Sequence, residues 1–275
     1  MSHGSRAAAY WVEQRQARGL PASSVETTMT VHGSLFTEFK EKEIQDPFSL
    51  QNKKLLRVDM RYGPVQALAG SMVAYQGDVR FANRGSGGLG KMIKSKLTGE
   101  GFSSMECSGS GELYLANNAA EIQLMYLEND AISVNGNAIL AFSSSIDWDI
   151  HRVQAAGSAM GTGYFNVALR GTGYVAVTTK GDPVCFDVAS APTYADPQAV
   201  VLWTAGVTMS VRVDTGGLAS MVRGGTGETW QMAFGGQGYV LVQPSESVVD
   251  GAGSGAGAAS APTAGSVLGG FLGGR

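Results

Sequence analysis

The segment GTGYFNVALRGTGYVAV (residues 161–177) contains the pattern that decides the fold. A Gly-x-Gly doublet precedes a short run of β-favouring residues, and a second doublet then leads into another such run. The same arrangement occurs twice more, with doublets at 99–101 and 109–111, and at 225–227 and 236–238. The second glycines of the opening doublets, at 101, 163 and 227, are 62 and 64 residues apart, so one β-hairpin unit is used three times.

The Gly-x-Gly doublets have a structural explanation. Tight turns between strands need residues with positive φ, and a missing Cβ lets one strand pass close to another. A dinucleotide-binding Gly-x-Gly must open a helix, whereas each doublet here precedes a β-favouring run. The doublets therefore predict hairpin turns rather than a nucleotide site.

The remaining sequence between 35 and 247 is also β-favouring. Short runs at intervals of about 8–12 residues are typical of a sandwich or a barrel. The runs are LLRVDM (55–60), VQALA (65–69), SMVAY (71–75), ELYLA (112–116), EIQLMYL (121–127), AILAF (138–142), FNVAL (165–169), YVAVTT (174–179), MSVRVD (209–214) and YVLVQ (239–243). We predict an all-β sandwich over 35–247, an N-terminal extension over 1–34 with a short helix at 7–18, and a disordered Gly/Ala/Ser-rich tail over 248–275.

The composition excludes several classes of protein. Of 275 residues, 44% are hydrophobic and 39 are glycine, without the period of three that collagen needs, so the chain can bury a core. Three histidines and a net charge of −3 argue against a multi-histidine metal site and against a basic nucleic-acid binder. Two cysteines cannot form a disulfide framework, and we expect both Cys107 and Cys185 to be small buried hydrophobic residues.

The sequence has no pattern of a secretory signal or a membrane-spanning helix. The N-terminus has no continuous apolar region, and residues 13–18 are strongly polar. The longest apolar stretch, AVVLWTAGVTMSVRV (199–213), is interrupted by polar residues and glycine, so we expect a strand pair there. The expected location is the cytoplasm.

Four blocks of sequence resemble a known family. They are DPFSLQNKKLLRVDMRYGPVQALAGSMVAYQGDVRF (46–81), LTGE (97–100), VRVDTG (211–216) and GQGYVLVQPSE (236–246). They look like the bacterial branch of the altered-inheritance-of-mitochondria protein 24 family, and the resemblance covers about 34–247.

This resemblance implies a double-stranded β-helix sandwich, similar in fold to the tryptophan RNA-binding attenuator protein, assembled as a homotrimer or another ring-like homo-oligomer. The family has no established enzymatic activity, and its eukaryotic members are associated with inner-membrane organisation in mitochondria. Only the fold is shared with the attenuator protein, so no tryptophan-binding or RNA-binding residue is carried over.

The segment GSGGLGKM (85–92) is the nearest approach to a catalytic motif. A P-loop has the pattern Gly-x-x-x-x-Gly-Lys-Ser/Thr, in which the final hydroxyl ligates Mg²⁺. Gly85, Gly90 and Lys91 fit this pattern, but Met92 occupies the hydroxyl position. The predicted body also lacks the alternating helices of a parallel sheet, which disfavours nucleotide hydrolysis.

The same loop is basic. Five basic residues and no acidic residue occur between Arg80 and Lys96. One interpretation is an amphipathic turn that contacts an anionic membrane or a protein partner; the other is a solvated loop that keeps an oligomer soluble. The loop has no aromatic residue to stack on bases, so we expect no nucleic acid as a partner. The candidate contact residues are Arg80, Arg84, Lys91, Met92, Ile93, Lys94, Lys96 and Leu97.

One further cluster has metal-ligating residue types. Asp147, Asp149 and His151 alternate along a predicted strand and so share one face. A metal site there competes with the ordinary explanation, an exposed polar strand face. No Gly-x-Ser-x-Gly elbow and no second histidine accompany them, so the sequence predicts neither an enzyme nor a cofactor.

Three functional hypotheses follow, in decreasing order of support. The first is a non-enzymatic scaffold or interaction protein that forms a homo-oligomer at the periphery of a membrane or on a protein partner. The second is a small-ligand or nucleotide sensor with a pocket at the Gly85–Lys91 loop or between protomers. The third, a metal-dependent enzyme, requires bound metal.

Overall fold

A computed structural model describes residues 33–82, 102–152, 165–213 and 230–245. The chain divides into two units, Met1–Glu43 and Ile44–Arg275. In the first unit, one helical turn, α1 (Leu35–Glu38), exposes its apolar side chains. The helix expected at 7–18 and the tail at 248–275 lie outside the described residues.

The second unit consists of antiparallel strands. Every strand pair among the described residues is antiparallel, and the only helical elements there are two 3-10 turns, at Met60–Tyr62 and Gly136–Ala138. The expected all-β class is confirmed. The strands are β1 (Phe48–Asn52), β2 (Leu55–Asp59), β3 (Val65–Leu68), β4 (Met72–Ala82), β5 (Ser104–Leu115), β6 (Glu121–Asn135), β7 (Ile139–Ser143), β8 (Asp147–Arg152), β9 (Phe165–Thr179), β10 (Val184–Asp187), β11 (Thr193–Ala195), β12 (Val200–Thr204), β13 (Val207–Val213), β14 (Trp230–Gly236) and β15 (Tyr239–Val242).

The strands form two sheets. A twelve-stranded sheet has the order β1-β2-β5-β3-β7-β9-β6-β12-β15-β10, with β4 paired to β5 and β8 paired to β9. A three-stranded sheet has the order β11-β14-β13. The apolar stretch at 199–213 forms two strands, as expected, but β12 belongs to the large sheet and β13 to the small one.

Three hairpins recur along the chain, and each pairs the strand before an opening doublet with the strand after it. The first is β4–β5, the second β8–β9 and the third β13–β14, each antiparallel. Their connections, within 83–101, 153–164 and 214–229, lie outside the described residues and include the opening Gly-x-Gly doublets.

The closing doublets correct the expectation of hairpin turns. Those at 109–111 and 171–173 lie inside β5 and β9, and only the doublet at 236–238 lies between two strands. On one edge of β5, the partner changes at the doublet from β3 to β2, and on one edge of β9 it changes from β8 to β7. The doublets within β5 and β9 therefore mark a change of partner strand.

Close approach explains why glycine is needed in β5. A Cβ on Gly109 would lie 2.1 Å from the carbonyl oxygen of Asp78, and one on Gly111 would lie 2.0 Å from that of Gln76. Both glycines also have positive φ, +117° and +137°. The expected role of a missing Cβ is thus confirmed here, although the turn is not.

The apolar side chains pack in three clusters. Two of them belong to the large sheet and are centred on Phe142 and on Leu113. The third joins the end of the large sheet to the small sheet through Trp203 and Phe234, whose ring centroids are 5.5 Å apart. Among the described residues, no helix is long and apolar enough to cross a membrane.

Candidate functional site

Among the described strands of the second unit, β4 is the most exposed long strand. Ten of its eleven residues are exposed, and only Val79 is buried. Among the described strands, β4 pairs with β5 alone, so its second edge has no partner strand in that part of the chain. Its large exposed apolar residues are Met72, Val73, Tyr75 and Phe81.

Strand β4 is bent. The rings of Tyr75 and Phe81 meet edge to face, with centroids 5.4 Å apart, although residues six apart in a straight strand are separated by about 20 Å. The bend lies at Gly77, which has φ +91° and pairs with Gly111 of β5. The two glycines let the strands cross closely, and the two aromatic rings meet as a result.

The predicted basic contact surface is described at one residue only. Arg80 lies in β4, and its Nη2 is 3.1 Å from Oδ2 of Asp78, with both side chains exposed. Arg84, Lys91, Met92, Ile93, Lys94, Lys96 and Leu97 lie outside the described residues, as does the P-loop-like segment.

Strands β2 and β5 carry a group of charged side chains that the sequence analysis missed. Arg57 is almost fully buried; its Nη1 donates to the carbonyl oxygen of Ile44 at 2.8 Å, and its Nη2 donates to Glu112. Asp59, also buried, accepts hydrogen bonds from the backbone and the guanidinium of Arg61. Arg57 and Asp59 lie at alternate positions of LLRVD (55–59) and so share one face of the strand. Their opposite charges were the sequence signal that could have predicted this charged group.

These contacts hold the carboxyl groups ionised. Burial opposes the charge of Asp59, but the hydrogen bonds from Arg61 outweigh it and lower the pKa of this carboxyl. Burial likewise opposes the charge of Glu112, and the hydrogen bonds from Arg57 and Tyr114 lower its pKa. The group is therefore an ion-paired structural cluster, with no carboxyl prepared to act as a general acid.

A cleft of about 300 Å³ lies next to this cluster. Its apolar lining includes Phe48, whose ring stacks on that of Tyr174 with centroids 5.5 Å apart. Its polar lining includes three consecutive serines, of which Ser143 accepts a hydrogen bond from the backbone of Tyr174 at 3.0 Å. This volume is at the lower limit for small-ligand pockets. The lining residues are Pro47, Phe48, Val58, Asp59, Tyr62, Gly63, Pro64, Val65, Ser143, Ser144 and Ser145.

The candidate metal ligands do share a strand. Asp147, Asp149 and His151 occupy alternate positions of β8, and all three are exposed. Within the described ranges, no group of three His, Cys, Asp or Glu side chains could hold a metal ion. The arrangement is that of a solvated polar strand face.

The two cysteines differ in environment. Cys107 is fully buried in β5, as expected, and burial raises the pKa of its thiol to about 12. Cys185 is exposed, so the expectation that it is buried was wrong. It lies in β10, which ends the large sheet and pairs with β15 alone among the described strands. The apolar residues of β10 remain exposed because no further strand among the described residues covers them.

Comparison with known proteins agrees with this fold. A family model described as mitochondrial biogenesis AIM24 matches residues 48–245, well over half of the chain. The crystal structure of protein SPYM3_0169 from Streptococcus pyogenes is similar, with a TM-score of 0.58 and 23% identity over 71% of this chain and 91% of that chain. At this identity the likeness concerns the fold alone. No curated protein matches the chain.

Proposed function

The chain belongs to the mitochondrial biogenesis AIM24 family, and from that premise we propose that it is a non-enzymatic scaffold that acts as a homo-oligomer in the cytoplasm. The supporting observation is the exposed strand β4, with its apolar side chains and its second edge without a partner strand among the described residues.

Edge strands of soluble proteins usually avoid association through charge, proline or coverage by other elements. Strand β4 contains no proline, and its two charged residues, Asp78 and Arg80, form an ion pair with each other. The strand therefore carries no net charge and exposes apolar side chains beside an edge that has no partner strand among the described residues. Pairing with another copy covers both, which is why oligomer formation is the function that this surface supports best.

The experiment compares two aromatic residues on different strands. Phe81 and Tyr126 are both exposed, and each makes one edge-to-face ring contact, with Tyr75 and Tyr174 respectively. Strand β6, which carries Tyr126, pairs with β9 at Tyr126 and with β12 at residues 132–134. In size-exclusion chromatography with light scattering at micromolar concentration, we expect an oligomer for the wild type and for Tyr126→Lys, and a monomer for Phe81→Lys. A monomeric wild type would refute the proposal.

The scaffold is proposed to contact an anionic membrane through the basic loop that follows β4. The support is the sequence pattern, five basic residues and no acidic residue between Arg80 and Lys96, beside the apolar Met92 and Ile93. Lysines can interact with lipid headgroups while the apolar side chains enter the interface.

Sedimentation with phosphatidylserine vesicles tests this contact. We expect the wild type to sediment with the vesicles and the triple variant Lys91→Glu, Lys94→Glu, Lys96→Glu to stay in the supernatant. The matched control, Lys40→Glu, Lys42→Glu, Lys54→Glu, makes the same change in net charge elsewhere and should sediment like the wild type. Equal sedimentation of both triple variants would show that the loop is not the contact.

A second candidate function, a small-ligand sensor, is favoured by the cleft beside Phe48. A thermal-shift screen of nucleotides, amino acids and metals tests it, since a ligand at 100 times its Kd stabilises a fold by about 2.7 kcal/mol. Ser144→Leu, which fills the cleft, should abolish the shift caused by a true cleft ligand. If no compound shifts the melting temperature, the sensor hypothesis fails.

A further inference from the structure

We propose that the cleft beside Phe48 binds a neutral carbohydrate of one or two sugar rings. This proposal rests on the small-ligand sensor, the second candidate function, and specifies the chemical class of its ligand; it does not depend on the oligomer. The cleft has a volume of about 300 Å³, which limits an enclosed ligand to a small molecule. The charge of the lining, its hydroxyl groups and its apolar rings select the ligand.

The lining of the cleft carries no net charge. Among the described residues that line it, only Asp59 is charged. Its Oδ1 accepts hydrogen bonds from the backbone N–H and from Nε of Arg61, both at 3.0 Å, and its Oδ2 accepts one from Nη2 of Arg61 at 2.6 Å. Because this carboxylate already has its cation, a charged ligand would lose hydration without gaining a partner of opposite charge. The lining therefore favours a neutral ligand.

Hydroxyl groups supply the polar part of the lining. The hydroxyl oxygen of Ser143 accepts a hydrogen bond from a backbone N–H, so its own proton can be donated to a ligand. The hydroxyls of Ser145 and Tyr62 each donate to a backbone carbonyl, at 2.9 and 2.8 Å, so their oxygens can accept. The cleft thus presents donors and acceptors together. A sugar hydroxyl both donates and accepts, and so satisfies both kinds of group.

The apolar part of the lining suits the C–H groups of a sugar ring. Tyr62 is 60% exposed, and Pro47 and Pro64 lie in the same lining. The hydrogen bond from Tyr62 to the carbonyl of Gln45 holds its ring in place, and proline rings have little freedom to lose, so binding orders few side chains. A sugar ring has C–H groups on its faces and hydroxyls around its edge. Apolar rings beside several hydroxyls match that arrangement.

Saturation-transfer difference NMR on the full chain tests the proposal. The probes are glucose, galactose, mannose, N-acetylglucosamine and maltose. We expect a signal from at least one of them, and affinities at least about tenfold lower in Tyr62→Ala, which removes the exposed ring, and in Ser144→Leu, which fills the cleft. The matched control is Tyr239→Ala, since Tyr239 is 52% exposed and lies outside the lining; it should bind like the wild type.

A second comparison needs no variant of the protein. For the sugar that binds, the matching uronate and amino sugar add one negative and one positive charge, and both should bind the wild type at least about fivefold more weakly. Equal or tighter binding of either charged form would contradict recognition by an uncharged cleft. Equal losses in Tyr62→Ala and Tyr239→Ala would show that the sugar does not bind in the cleft.

The outcomes also separate this proposal from the sensor on which it rests. If no neutral sugar gives a signal, but another compound raises the melting temperature and Ser144→Leu abolishes that shift, the sensor stands and the carbohydrate is overturned. If neither sugars nor the compounds of the thermal-shift screen bind, both are overturned.

Discussion

Strands β4 and β8 are equivalent strands of the first and second hairpins, yet they differ in the side chains that they expose to water. Strand β8 alternates: Trp148 and Ile150 pack against the core, while the intervening residues, Asp147, Asp149 and His151, are polar and exposed. Strand β4 exposes apolar residues over most of its length. Charges on an edge strand discourage pairing with other chains. The difference indicates that the second hairpin has a protected edge and that the first has an edge available for association.

The surroundings of the two hairpins also differ in the burial of their charged residues. Among the charged residues of β2 and β5, Arg57 pairs with Glu112 and Asp59 pairs with Arg61, and both Arg57 and Asp59 are buried. Those of β8 face water. Buried ion pairs therefore lie beside the first hairpin, whereas the charged residues of β8 in the second hairpin are exposed. Substitutions of buried and of exposed charged residues test whether this difference affects stability.

The largest effect is expected from the buried arginine. Arg57→Ala removes the partner of Glu112 and the donor to the carbonyl of Ile44, so we expect a loss of about 3–5 kcal/mol in the free energy of unfolding. Asp149→Ala, on the exposed face of β8, should change it by less than about 0.5 kcal/mol. Urea titration followed by circular dichroism measures both. Similar losses in the two variants would contradict the distinction between the buried and the exposed charged residues.

A smaller effect is expected at the glycine bends. Gly111 and Gly171 both have positive φ, but an added Cβ at Gly111 would lie 2.0 Å from the carbonyl oxygen of Gln76, and one at Gly171 would have no neighbour closer than 3.5 Å. Backbone strain alone gives Gly171→Ala a cost of about 1–2 kcal/mol. Gly111→Ala also forces the first hairpin apart and should cost about 3 kcal/mol by the same titration. Equal losses in the free energy of unfolding would show that a Cβ has as much room at Gly111 as at Gly171.

The repeat and the all-β class could be predicted because both depend on local sequence. Doublets such as 171–173 and runs such as 174–179 are visible without knowing any partner strand. The same locality explains the error at the closing doublets. A hairpin turn and a bend within a strand both select glycine with positive φ, and only the pairing of β5 with three other strands distinguishes them.

The exposure of a strand could not be predicted from the sequence, because it depends on which other strands lie beside that strand in the sheet. The run around Cys185 has the composition of a buried strand, yet β10 ends the sheet and remains exposed. The cleft at Phe48 joins segments about 100 residues apart in sequence, which no local pattern reveals. Of the predicted contact residues, only Arg80 lies among the described residues. The sequence analysis did not predict its ion pair with the neighbouring Asp78.

Low pH should weaken the ion pairs of Asp59 on β2 and of Glu112 on β5. The pKa values of Asp59 and Glu112 are lower in the folded chain than in the unfolded one, so their stabilisation is complete above about pH 5 and is lost as the pH falls through the folded values. We expect the free energy of unfolding to decrease from pH 6 to pH 3. Glu112→Gln, which removes the titrating carboxyl, should flatten this decrease. A steeper pH dependence in Glu112→Gln would exclude an ion-paired glutamate.

The smallest effect concerns thiol chemistry and leaves stability unchanged. Cys185 is exposed on β10, whereas Cys107 is buried and the pKa of its thiol is raised to about 12. In the folded protein, iodoacetamide should therefore modify Cys185 at least about tenfold faster than Cys107, a difference equivalent to about 1.4 kcal/mol. Mass spectrometry of tryptic peptides measures both rates. Equal rates at the two cysteines would show that the thiol of Cys107 is not protected by burial.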